Sequence, residues 1–124
     1  DIDDVEQVPL GDFTYQWRNI CDRTPLHGKC RIILSYRSYT IAHFNKDGIL
    51  DGLYEKYEDN HLVQKLTYVK GILRGKGYEY YTDGTVKKEC VWNEQGKIDG
   101  LMIEYSRIGR TEWDNNEHLT ITVN

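Results

Sequence analysis

Several features that define common classes of protein are missing from this 124-residue chain. It has only 2 prolines, and none of its apolar runs approaches the roughly 20 residues that a membrane-spanning helix needs. Positive charge is not in excess, since 16 lysines and arginines stand against 20 aspartates and glutamates, for a net charge of −4. Nucleic-acid binders usually carry a basic patch, so the composition argues against a nucleic-acid partner.

The chain also lacks the motifs of common catalytic and metal sites. No Gly-x-Ser-x-Gly elbow, His-Glu-x-x-His helix or phosphate-binding loop is present, so we do not expect an enzyme. The 4 histidines are scattered and no Cys-x-x-Cys pair exists, so we expect neither a metal nor another cofactor. One carboxylate cluster lies beside a histidine, but it is typical of a solvated turn: Glu55, Glu58 and Asp59 with His61.

The 3 cysteines leave the cellular compartment open. Cys21 and Cys30 are nine residues apart, so they could close a short disulfide loop in an exported protein or remain two free cytosolic thiols. The chain begins at Asp1 without an initiator methionine or a signal peptide, which indicates a removed leader or a trimmed sequence. Both features favour a periplasmic or exported location, with the cytoplasm as the alternative.

Glycine, in contrast, is abundant and recurs at regular intervals. Four short motifs end in glycines that are 24, 23 and 25 residues apart, and a second glycine precedes three of them by four positions. Because tight hairpin turns need positive φ, we expect nine of the 11 glycines to mark the turns of a repeat about 24 residues long. The nine are Gly28, Gly48, Gly52, Gly71, Gly75, Gly84, Gly96, Gly100 and Gly109.

The residues between these turns align in columns that predict the two faces of a sheet. Period-two alternation along each strand assigns three columns to an inner face. Their members are Tyr57, Tyr80 and Tyr105; Ala42, Leu66 and Cys90; and Phe44, Tyr68 and Trp92. Cys90 is therefore expected in the core. Cys30 falls in the column of Tyr54, Gly77 and Met102, which is assigned to the opposite face and leaves Cys30 freer to meet Cys21.

Three stretches, 47–57, 71–84 and 94–105, resemble MORN (membrane occupation and recognition nexus) repeats. They are closest to the bacterial variant of the repeat, in which glycines at the turns alternate with tyrosines in the strands. The likeness is good over about residues 45–113 and poor over 26–44, where Ile33 replaces the tyrosine. The resemblance implies an all-β fold, an elongated antiparallel sheet of successive β-hairpins with atypical terminal caps.

We accordingly expect three parts in the chain. An N-terminal segment with a cap strand occupies residues 1–25, and a C-terminal cap strand occupies residues 114–124. Between them, 26–113 holds about four MORN-like hairpin repeats, of which the first is degenerate.

The resemblance also suggests a function, although it supplies no catalytic residue. Bacterial proteins with this variant are often described as antitoxin-like, and some resemble immunity proteins. The leading hypothesis is a non-enzymatic protein-binding domain, an immunity or antitoxin protein that binds and occludes a toxic effector. The net charge of −4 would complement a basic effector. The alternative is a membrane-associated scaffold that binds anionic lipid or an envelope partner.

An exposed aromatic patch is the predicted binding site, because a single extended sheet cannot bury both of its faces. The candidate residues are Tyr54, Glu55, Tyr78 and Tyr81, with Asp3 and Asp4 of the acidic N-terminus adding contacts. Lipid binding would need a dense cluster of ~4–8 basic residues. The chain offers only a weak one, made of Lys65, Lys70, Arg74, Lys76, Lys87 and Lys88. The oligomeric state is left open.

Overall fold

Strands make up all of the regular structure in the computed structural model, which describes residues 2, 4–11, 14–99, 101–106, 109–114 and 117–122. This confirms the all-β prediction. In chain order the strands are β1 (Val5–Pro9), β2 (Tyr15–Asn19), β3 (Gly28–Ser35), β4 (Ser38–Phe44), β5 (Leu50–Glu58), β6 (His61–Val69), β7 (Ile72–Leu73), β8 (Gly75–Tyr80), β9 (Val86–Trp92), β10 (Leu101–Ser106), β11 (Gly109–Asp114) and β12 (Glu117–Thr122).

Ten of the described strands form one antiparallel sheet that follows the order of the chain. The sheet runs β3-β4-β5-β6-β8-β9-β10-β11-β12, and the short β7 pairs with the end of β6. Each strand pairs antiparallel with its neighbours, as expected when consecutive strands are joined by short turns. This is the predicted array of successive hairpins.

The first two strands form a separate hairpin that lies across one face of the large sheet. The centroid of the Trp17 ring on β2 is 5.6 Å from that of Phe44 on β4, and the Trp17 amide donates to the Gly48 carbonyl at 2.7 Å. Val5 and Trp17 pack against the buried cluster of the sheet. Ile2 also packs there, and it forms a parallel bridge with Ile32 on the edge strand β3. The N-terminal segment therefore covers the sheet.

The core lies between this hairpin and the face of the sheet beneath it. Its central cluster is Leu26, Ile32, Ala42, Phe44 and Leu50. Leu66 and Cys90 are also buried, at 8% and 5% exposure, so Cys90 is a core residue as expected. We call this side of the sheet the core face.

Cys30 and Tyr54 lie on the core face, and their predicted placement on the opposite face is wrong. The register sets Cys30 opposite Ala42, and Ala42 opposite Tyr54. Residues directly opposite each other in an antiparallel pair project to the same side. Alternation shows which residues of one strand share a face, but it does not show which residues of the next strand lie on that same face. Turn lengths and bulges, such as the bulge between Ala42 and Phe44, determine this match between strands.

The turns repeat in structure as well as in sequence. In the loop after β4, the Asn45 side-chain oxygen accepts from the amides of Asp47 and Ile49 at 2.9 and 3.2 Å. In the loop after β9, the Asn93 oxygen accepts from the amides of Gln95 and Lys97 at 2.9 and 3.1 Å. The two asparagines are 48 residues apart, which is two periods of the predicted repeat.

The predicted turn glycines fall into two structural groups. Four lie in turns and have positive φ: Gly48, Gly71, Gly84 and Gly96. Three others also have positive φ but belong to strands, so their assignment to turns is corrected: Gly28, Gly52 and Gly75. These three pair across the sheet with the strand-end aromatics Phe44, Tyr68 and Trp92, and their positive φ favours glycine within the strand. Gly109 begins β11, and Gly100 lies outside the described residues.

Candidate functional site

A single row of cross-strand partners crosses the side of the sheet opposite the core face. From β3 to β10 the row is Arg31, Ile41, Glu55, Lys65, Tyr78, Glu89 and Ile103. We call the surface formed by this row and by the residues two positions away on each strand the open face. Because the N-terminal hairpin packs on the core face, none of the strands that the structure describes lies over the open face.

Tyrosines are concentrated on the open face. The rings of Tyr39 and Tyr57 stack with centroids 4.9 Å apart, and the Arg31 guanidinium lies 4.2 Å from the Tyr39 centroid. Tyr78 and Tyr80, which both belong to β8, stack with centroids 6.0 Å apart. All four tyrosines are half-buried, in contrast to the buried residues of the core face. The result is an aromatic surface that is ordered by ring contacts and remains accessible.

The predicted inward column of Tyr57, Tyr80 and Tyr105 is therefore wrong. Tyr57 lies two positions beyond Glu55 and Tyr80 two positions beyond Tyr78, so both project from the open face. The Tyr105 hydroxyl donates to the Glu89 carboxylate at 3.2 Å, which places it on the same side. These tyrosines thus occupy the face that has no covering strand among the described residues.

Burial, more than neighbouring charge, raises the pKa values of two of these phenols. The Tyr57 hydroxyl donates to Glu55 Oε2 at 3.5 Å. The pKa of Tyr57 is raised most by burial and next by the charge of Glu55. The pKa of Tyr80 is raised most by burial and next by Tyr78 and Glu55. Both phenols are therefore neutral hydrogen-bond donors at neutral pH.

The six predicted binding residues do not form one group. Glu55 and Tyr78 lie together in the row on the open face. Tyr54 lies on the core face, where its ring meets Tyr68 edge to face at 5.7 Å. Tyr81 is 39% exposed after the end of β8, and its hydroxyl donates to the Tyr105 carbonyl at 2.7 Å.

The two N-terminal aspartates do not join the open face either. Asp4 is exposed near the N-terminus, where its carbonyl accepts from the Ile20 amide at 3.2 Å. Asp3 lies outside the described residues. Sequence reasoning missed Arg31 and Tyr39 and placed Tyr57 on the wrong side. The cross-strand register is the signal that joins them to Glu55 and Tyr78.

The basic residues predicted as a weak patch are divided between the two faces. Lys65 belongs to the row on the open face, whereas Lys88 lies on the core face with its ammonium 3.9 Å from Glu79. No helix in the described part of the chain is long and apolar enough to cross a membrane. Among the same residues, no group of three or more His, Cys, Asp or Glu side chains is placed to hold a metal ion.

All three cysteines are free thiols, so of the two alternatives that the sequence left open, the Cys21–Cys30 disulfide is not formed in this structure. Cys21 is exposed in the turn after β2. Cys30 points to the core face, and its Sγ donates to the His27 carbonyl at 3.6 Å. Burial raises the pKa of the Cys30 and Cys90 thiols. The orientation of Cys30 toward the core, which the sequence did not predict, separates its environment from that of Cys21.

A groove of about 580 Å³ runs between the N-terminal hairpin and the turns of the repeats. Tyr15 and Trp17 line one side, and Ile72 and Leu73 line the other. Of the described residues, Lys97 is the one that brings a charge to this lining. Among the described residues, the lining of the groove therefore contains no pair of carboxylates and no other acid–base pair. General acid–base catalysis would require such a pair.

No family model and no curated protein matches this chain. Among solved structures, a crystal structure of TarM is similar over 91% of this chain and 21% of its own, with a TM-score of 0.47 and 16% identity. A crystal structure of a mutant of S. aureus TarM in complex with fondaparinux, alpha-GlcNAc-glycerol and UDP is similar over 95% and 21%, with a TM-score of 0.42 and 10% identity. The chain thus spans about a fifth of the length of these structures. Likeness at this level assigns no activity to the chain.

Proposed function

We propose that this chain is a non-enzymatic, protein-binding domain of MORN-type repeats, and that it acts as an immunity or antitoxin protein that occludes a toxic effector. The observation that carries this proposal is the open face. A row of charged and apolar residues flanked by Tyr39, Tyr57 and Tyr80 spans β3 to β10 with no described strand above it.

The chemistry of this face suits recognition of another protein. Tyrosine gives a large contact area for little loss of side-chain entropy, and its hydroxyl group supplies a hydrogen bond. Tyr39 and Tyr57 are already ordered by stacking, so a partner would not have to immobilise them. The row pairs the charges of Glu55 and Glu89 with those of Arg31 and Lys65, so the feature that would suit a basic effector is the net charge of −4 of the whole chain.

The repeat architecture supports the MORN-type part of the proposal. The loops at Asn45 and Asn93 share the same pattern of amide-to-side-chain hydrogen bonds. The pairing of a motif glycine with a strand-end aromatic recurs three times along the sheet. A regular sheet of this kind offers a broad and rigid face, which can block an active site sterically without any chemistry of its own. The proposal includes an exported location, in which the protein would meet its effector in the periplasm.

The test is to express the product of the neighbouring reading frame with and without this chain. We expect that product to arrest growth when it is expressed alone, and growth to be restored by the intact chain with the two proteins purifying as a complex. The Tyr39→Ala variant should lose protection, whereas Tyr15→Ala should keep it, because Tyr15 is 44% exposed on β2, in the hairpin that lies on the core face. Neighbouring products that neither harm the cell nor bind the chain would overturn the proposal.

A further inference from the structure

The row on the open face has a regular order of charge. Between β3 and β9 it begins with Arg31 and ends with Glu89. The two residues at its centre, Glu55 on β5 and Lys65 on β6, also carry opposite charges. Between each end and the centre lies one uncharged residue. Those two are Ile41 on β4 and Tyr78 on β8.

This order makes the row complementary to itself when it is reversed. Consider a two-fold axis that lies in the plane of the interface, parallel to the strands, between β5 and β6. Rotation about this axis places a second copy face to face with the first and reverses its strand order. Each residue keeps its position along the strand direction. Arg31 of one copy then meets Glu89 of the other, and Glu55 meets Lys65. In a two-fold interface every such contact occurs twice.

Two further pairs of uncharged side chains also match across this axis. The axis brings Ile41 of one copy to Tyr78 of the other, so an apolar side chain meets an aromatic ring. One step along the strands, Tyr39 on β4 meets Tyr80 on β8, which is an aromatic pair. From β3 to β9, charged residues of the row thus face opposite charges, and its uncharged residues face each other.

We propose that the occupant of the open face in the isolated protein is a second copy of this chain, which forms a face-to-face dimer about this axis. The dimer goes beyond the proposed function and uses the same open face, but it does not depend on that function. Six strands spaced about 4.8 Å apart make a face roughly 25 Å wide. A contact of that size buries on the order of 600 Å² on each copy, at the low end for a specific interface.

The dimer has a consequence for the proposed function. It covers Tyr39 and Tyr80 until a partner arrives, and the partner competes with the second copy for the same surface. A weak dimer therefore protects an aromatic face from nonspecific contacts, yet it releases that face to an effector that binds more tightly.

Charge reversal at the two ends of the row tests the dimer, because Arg31 and Glu89 stand on strands five positions apart in the sheet and do not face each other within one chain. We expect wild type to dimerise in sedimentation equilibrium of the chain alone. Arg31→Glu and Glu89→Arg should each weaken dimerisation by more than about tenfold, since each places two like-charge pairs in the interface.

An equimolar mixture of the two variants should dimerise as wild type does. The glutamate introduced at position 31 of one copy then faces the arginine introduced at position 89 of the other, so both ion pairs are present again. Lys46→Glu is the matched control, since it reverses one charge in an exposed loop and should leave the dimer unchanged. Raising the ionic strength from ~0.05 M to ~0.5 M should also weaken the wild-type dimer.

The proposal would be overturned by a monomeric wild type, or by a dimer that is insensitive to salt and to both charge reversals. It would also be overturned by a mixture of the two variants that stays monomeric although both variants fold. These measurements need only the purified chain. If the chain does not dimerise but still binds an effector, the dimer proposal fails and the proposed function stands. If the chain dimerises but no neighbouring product is toxic, the proposed function fails and the dimer proposal stands.

Discussion

Gly77 on β8 lies against the indole ring of Trp92 on β9. A Cβ added at Gly77 would lie less than 3 Å from side-chain atoms of both Trp92 and Leu66. These residues pack a part of the core face outside the central cluster that the N-terminal hairpin covers. Unlike the seven repeat glycines with positive φ, Gly77 has an ordinary φ, so its requirement for a small residue is purely steric.

The Gly77→Ala substitution should therefore destabilise the protein. Forcing one methyl group into a packed core typically costs about 1–3 kcal/mol. Urea unfolding followed by tryptophan fluorescence measures this cost. Gly11→Ala is the matched control, because nothing lies within 4 Å of an added Cβ and no positive φ is required there. Equal stability of the two variants would contradict the packing described here.

The matching loops at Asn45 and Asn93 predict that equivalent substitutions cause equal losses of stability. Replacing Asn45 or Asn93 by alanine removes a side-chain oxygen that accepts from two backbone amides. Each substitution should lower the free energy of unfolding by about 1–2 kcal/mol, and the two values should agree within about 0.5 kcal/mol. Thermal and urea unfolding of the single and double variants check this. A large cost at one loop and none at the other would argue against a structural repeat.

The tyrosines predict a loss of stability in alkali. Burial raises the pKa values of Tyr57, Tyr68 and Tyr80 in the folded state. The unfolded phenols therefore ionise first, near pH 10, and the unfolded state is favoured as pH rises further. The stabilisation from neutral phenols is complete below about pH 10 and is lost as pH passes through the folded pKa values.

Urea midpoints at about pH 8 and about pH 11 measure this loss. The Tyr68→Phe variant should lose less stability than wild type over that interval, because phenylalanine has no proton to release. A wild-type midpoint that does not fall with pH would show that the phenols are not protected.

The thiols should react in order of exposure. Cys21 is exposed, Cys30 is half-buried and Cys90 is buried, so a thiol reagent should modify them in that sequence. The raised pKa values of Cys30 and Cys90 slow them further, since the thiolate is the reactive form. Protein purified without reductant and then unfolded should show 3 reactive thiols. A single reactive thiol, with Cys21 and Cys30 linked, would instead match the disulfide suggested by their spacing.

The sequence contained enough information for the strands but not for their faces. The period of the glycines predicted the hairpin array, since turns with positive φ have few alternatives to glycine. The side to which Tyr57 points could not be read in the same way. It depends on the register between strands, and bulges near Tyr57 and Tyr80 shift that register without a distinct sequence signal.

The N-terminal hairpin was the other feature beyond prediction. Its alternating residues indicated a strand, but only the tertiary contact between Trp17 and Phe44 shows that it covers a face of the sheet. That contact decides which side becomes the core and which becomes the candidate site. For this reason Tyr54 was proposed as a binding residue, although it packs against the core.

The most direct test of the proposed binding through the open face is the affinity of the product of the neighbouring reading frame for two tyrosine variants of this chain. Tyr78→Ala removes a ring from the row, and Tyr15→Ala removes an exposed ring from the hairpin on the core face. Calorimetric titration should show binding weakened about tenfold or more by Tyr78→Ala and nearly unchanged by Tyr15→Ala, with both variants folded. Wild-type affinity in Tyr78→Ala, or an equal loss in both variants, would contradict the account.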